Sequence, residues 1–232
     1  MENQEIYNGK QLKFIRLGGF AVLFGLVIHI IANMVLKTLP SDAFTPKELS
    51  QYLSDEASTW EVVNGIRYMA IVCMVIFGSA LFIKTKMKRN INSMGWGIVG
   101  LMGCALMMGN LLLANGIEIL AFSNYNGVSD EPETFWMLFY LSRVLFTGEI
   151  IAWAILILGF SMSGLYSKTI PKWIIILGLL SSFFCILSMV FIVNILKGGS
   201  AGILIEIGSL TGLLWFIIIG VNMLLLKKSK IK

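Results

Sequence analysis

Arg143 and Glu149 stand inside the run Phe135 to Gly164, which is otherwise mostly apolar. A bilayer is crossed by roughly 20 apolar residues. Full charges in such a span are expensive, so they should face a protein interior and have partners. Comparable residues recur along the chain. His29 and Asn33 are four apart, and so share one helical face. Asn64 with Arg67, Asn115 with Glu118 and Glu206 with Ser209 have the neighbouring i, i+3 spacing. The chemistry available to these types is limited. Arg67 and Arg143 suit an anionic group, with Asn33, Asn64 and Asn115 orienting it and Glu149 at depth. His29 suits an acid or base, with Glu118 or Glu206 to orient it. Ser209 would serve as a nucleophile only beside a base.

Other chemistries are weakened by what the chain lacks. There is one histidine, so a bis-histidine haem or a histidine-rich metal site is excluded within one chain. HExxH and GxSxG motifs are absent. Cys73, Cys104 and Cys185 sit singly in apolar runs and read as small buried hydrophobes. The stretch Gly95 to Gly100 matches GxGxxG formally, but it has no strand before it and lies in an apolar span. No metal and no cofactor are expected, and the reading leans away from an enzyme.

The elements that position these residues follow from composition. Of 232 residues, 57% are hydrophobic and 13% charged, against about 25% charged in soluble domains. Mean hydropathy is +0.83. The class is an all-α polytopic membrane protein, one domain over 1–232. Spans are expected at about 17–36, 61–83, 93–121, 135–164, 170–195 and 201–226. Small residues at Gly97/Gly100/Cys104, Ser161/Gly164 and Gly208/Gly212 suit close helix packing in lipid.

Most of the 18 basic residues fall in alternate loops and the two tails, including the run Lys84-Thr85-Lys86-Met87-Lys88-Arg89. That pattern puts both termini in the cytoplasm. It also accounts for the pI near 9.1 without nucleic acid, which is not expected as a partner. Trp60 and Trp136 read as anchors at the outer interface. In the first outer loop Thr45, Pro46 and Glu48 form a helix-start signal, and Leu49, Tyr52 and Leu53 give an apolar stripe. A short amphipathic helix over about 45–57 is expected there, either resting on the membrane or covering a pocket.

Orienting the spans puts His29, Asn33, Asn64, Arg67, Asn115, Glu118, Arg143 and Glu206 in their outer halves, with Glu149 near the midplane. The inner halves are nearly bare of such groups. An outward-facing polar pocket is expected. Arg67 and Arg143 face Glu118, Glu149 and Glu206, which leaves one carboxylate over. Glu149 is the deepest, and Arg143 points about 120° away from it around their shared helix, while Trp153 shares its face. Three roles are open: a structural ion network, a pocket for a small amphiphile or lipid, and a proton-linked transport path.

Two stretches, Ser163 to Leu180 (SGLYSKTIPKWIIILGLL) and Trp60 to Phe82 (WEVVNGIRYMAIVCMVIFGSALF), resemble the bacterial six-helix membrane family known as domain of unknown function 4386. The resemblance is most specific at Tyr166–Trp173 and Asn64–Arg67. It implies the six-span layout and a bacterial cytoplasmic membrane. It implies no catalytic residues, because the family has no agreed activity. Membrane lipid is the expected partner, a small amphiphile the expected ligand, and an outer-leaflet enzyme the alternative.

Overall fold

The computed structural model describes residues 7–35, 46–86, 90–123, 132–191 and 200–226. Within the helices some side chains, those of Asn33 and Arg143 among them, lie outside the described set. Among the described residues all regular structure is helical: α1 Gly9–Val35, α2 Pro46–Lys86, α3 Ile91–Ser123, α4 Pro132–Ser167, α5 Lys172–Val190 and α6 Gly202–Leu224. All six contain a stretch long and apolar enough to cross a membrane. The chain is a multi-pass membrane protein.

The helix ends have local causes. Asn8 and Gln11 cap α1 reciprocally, each side-chain oxygen accepting the other's backbone N–H at 2.8 and 3.1 Å. The helix therefore begins well before the apolar run that marks the span in sequence. Pro46 opens α2, as its fixed φ favours. That helix continues through 41 residues, so the segment after Pro46 forms the first turns of the second span's own helix. Asn90 caps α3 by accepting the Asn92 N–H at 3.0 Å. Lys168, at φ 55°, closes α4 in the left-handed region, and Pro171 precedes α5. Arg16 donates to the Leu226 carbonyl at 2.6 Å, placing a cation just beyond the C-terminal end of α6.

Helices adjacent in sequence pack as neighbours, and α6 packs on α1 to close a ring, with a further α2–α4 contact. The closest approach joins α3 and α4. A Cβ added at Gly159 would strike the backbone of Gly100, and one at Gly103 would strike that of Leu156. Only glycine allows the two backbones this near, which is how helices cohere without a hydrophobic drive from lipid. The outward faces carry exposed Phe20, Phe24, Met102, Ile176 and Phe183. Apolar surface of that extent belongs against hydrocarbon. Inside, Phe77, Trp215 and Phe216 are fully buried, with Phe77 and Phe216 ring centroids 5.5 Å apart.

One buried group departs from the loop assignment. Lys84 belongs to α2, not to a solvated basic loop, and its side chain is fully buried. Its ammonium donates to the Thr169 carbonyl at 3.1 Å and to Asn222 Oδ1 at 2.6 Å. Its own carbonyl accepts the Tyr7 hydroxyl at 3.1 Å. The half of the bundle near the termini is therefore not bare of charge. It is joined there across α2, the α4–α5 turn, α6 and the start of the chain.

Candidate functional site

Trp60, Asn64 and Arg67 follow one another at i, i+4 and i+7 on α2, and Asn115 and Glu118 at i, i+3 on α3. The packing of α2 on α3 brings these two faces together. Arg67 Nη1 donates to Glu118 Oε2 at 2.9 Å, to Asn64 Oδ1 at 3.3 Å and to Asn115 Oδ1 at 3.4 Å. Its guanidinium carbon lies 5.9 Å from the Trp60 ring centroid, within cation–π range. All five residues are buried, Glu118 and Asn115 completely. An ion pair out of water survives only with good geometry and further hydrogen bonds, and this one has both. Trp60, near the start of its span, is buried and packs its ring within reach of Arg67.

Through Arg67 this cluster borders a cavity between the helices. A chamber of about 240 Å³ is lined by His29, Glu149, Ile150, Trp153, Cys185 and Ser209. A narrower one of about 100 Å³ shares His29, Glu149 and Trp153 with it. It adds Arg67 and a mainly apolar wall that includes Ala70, Met74, Met107, Leu111 and Leu213. Together the two chambers draw residues from all six helices.

Large aromatic residues follow the lining residues toward the termini. Past Met74 on α2 comes Phe77, and past Leu213 on α6 come Trp215 and Phe216. Phe216 also meets Trp153, with centroids 4.7 Å apart. These rings form a packed aromatic block next to the chambers.

Trp153 is held in place by a small residue opposite. A Cβ at Gly212 would collide with Trp153 Nε1, and would also crowd Ser181 Oγ at 2.7 Å. Gly212 thus accommodates the nitrogen edge of the indole against α6. Trp153 stands four residues after Glu149, so the carboxylate and the ring share one face of α4.

Several expected residues meet here, and others do not. Arg67, Asn64, Asn115 and Glu118 form one hydrogen-bonded cluster, and His29 and Glu149 line the adjoining cavity. The Asn33 and Arg143 side chains lie outside the described residues. Glu206 is exposed and is not among the residues lining either chamber. Glu118 is engaged with Arg67. The carboxylate that shares a chamber with His29 is Glu149. Residues missed as site members are Trp60 and Trp153. The signal for Trp153 was its i+4 spacing from Glu149. Among the described residues, no three His, Cys, Asp or Glu side chains come close enough to hold one metal ion. No family model, curated protein or solved structure matches this chain.

Proposed function

We propose that the chain is a membrane-embedded binding protein whose central cavity takes a small amphiphile, entering from the side of the membrane opposite the termini. The observation that carries this is the cavity itself: a pocket reached by all six helices, mostly apolar, with Arg67, Glu149 and His29 as its charged or ionisable lining. Apolar walls with a few convergent polar groups are the usual composition of small-molecule sites. The aromatic block at Phe77 and Phe216 favours a dead-end pocket over a path through the bilayer. The proposal includes both termini in the cytoplasm, as the distribution of lysine and arginine favours. It also includes membership of the bacterial six-helix family, on the Tyr166–Trp173 turn and the Asn64–Arg67 face.

Native mass spectrometry of protein extracted gently from its own membrane tests the reading. The expected result is a retained small molecule that is lost in Leu213→Trp, which fills the narrower chamber. A bare protein mass in the unaltered chain, reproduced when candidate amphiphiles are added back, overturns it.

A further inference from the structure

We infer that the cavity selects an organic cation with an apolar body, held by the Glu149 carboxylate and the Trp153 ring. This deepens the reading of the cavity as a binding site and rests on it.

The argument begins with which charges are already answered. Arg67 was the natural residue to hold an anion. It is instead committed, at 2.9 Å, to Glu118, and two amide oxygens share the same nitrogen. An anionic ligand would have to compete with a carboxylate already in place. It would also leave that fully buried carboxylate without its cation. Within hydrogen-bond distance the Arg67 guanidinium is already matched by one carboxylate.

Glu149 is in the opposite position. It opens on both chambers and, among the described residues, makes no hydrogen bond and no ion pair. An ionised carboxylate at that depth is unfavourable alone and favourable beside a cation. The residue one turn further along α4 is tryptophan, the best aromatic partner for a cation. Gly212 on α6 makes room for that indole, so it stands beside the acid as part of the packed wall.

The class of cation follows from the rest of the lining. A metal ion needs several ligands, and no group of three suitable side chains is present among the described residues. Ile150, Leu213, Met107 and Leu111 offer a mobile metal ion nothing, but they match hydrocarbon. The volumes correspond to about eight and about three water molecules at ~30 Å³ each. That suits a compact ammonium with one ring or a short branched tail, not a whole lipid.

The test uses the full chain in nanodiscs and radiolabelled benzyltrimethylammonium. Competitors are the unlabelled cation, its uncharged carbon isostere neopentylbenzene, and benzenesulfonate. The expected result is saturable binding, with both other competitors weaker by about tenfold or more, the scale of one desolvated cation contact. Glu149→Gln should weaken cation binding by a similar factor, and Glu149→Asp should retain part of it. The competition series needs only the unaltered chain, so it decides for or against charge selectivity even where a variant folds poorly. Equal competition by benzenesulfonate or the isostere overturns the charge selectivity while leaving the pocket standing. Absence of saturable binding by the cation overturns the inference. If neopentylbenzene and benzenesulfonate also fail to bind directly, the cavity reading itself falls.

Discussion

Helix α2 buries two cations, Arg67 and Lys84, about 25 Å apart along its axis at ~1.5 Å per residue. Their surroundings differ in kind. Arg67 meets a carboxylate, two amides and an indole, all from α2 and α3, and it borders a cavity. Lys84 meets a backbone carbonyl from the α4–α5 turn and an amide from α6, where four parts of the chain converge. The planar guanidinium has five donors and can bind a carboxylate while also reaching neighbouring acceptors. The ammonium is a compact point charge with three donors, suited to bonding oxygens that converge from different directions. The first site organises charge around open space. The second ties segments together. Burial of a charge therefore does not by itself mark function; what matters is whether the charge borders room for something else.

The comparison breaks most easily at Arg67. Arg67→Ala leaves Glu118 buried beside an empty space. A loss of about 3–5 kcal/mol in folding stability is expected, measured by reversible unfolding in mixed micelles. Replacing both partners, as Arg67→Met with Glu118→Leu, should recover most of it, because an apolar pair needs no counter-charge. If the double variant is as unstable as the single, the pair is not the source of the effect. Lys84→Met keeps the apolar stem and removes the donors to Thr169 and Asn222. About 1–3 kcal/mol is expected, the range for acceptors left without a bond. A loss as large as that from Arg67→Ala would mean that Lys84 answers a buried carboxylate, and would erase the distinction between the two sites.

The two cations also differ in how much the sequence tells. Arg67 is flanked by apolar residues with Asn64 one turn before it, so both its burial and its polar company are readable. Lys84 heads a basic run that resembles any solvated loop. Its burial depends on Thr169 and Asn222, 85 and 138 residues away, and no local pattern encodes that. The six spans were legible because each is a long apolar run. The continuity of α2 from Pro46 was not, because polar residues on either side of Ser54 look the same in a loop and in a helix projecting from a membrane. The shared depth of His29, Arg67, Glu118 and Glu149 pointed to a site. Which acid would pair with Arg67 depended on the rotation of α3 against α2, and the exposure of Glu206 depended on the rotation of α6 in the bundle. Gly100 shows the converse case. Small residues are conspicuous in sequence, and their packing role follows from size alone.

The smallest expected change in stability is the most informative. Glu149 is an acid like Glu118 and borders the same cavity as Arg67, yet among the described residues it has no bonded partner. A residue that holds the fold together should be missed when it is neutralised. Glu149→Gln should therefore leave the stability of the ligand-free protein within about 1 kcal/mol of the unaltered chain, since no bond among the described residues is broken. Loss of cation binding without loss of stability would separate Glu149 from both Arg67 and Lys84. A destabilisation approaching that of Arg67→Ala would place Glu149 in the same structural ion network. The cavity would then be a gap between well-tied helices, with no role in recognition. The unfolding midpoint of this one variant, measured without ligand, decides between a fold that leaves a carboxylate unanswered and one that uses every charge it buries.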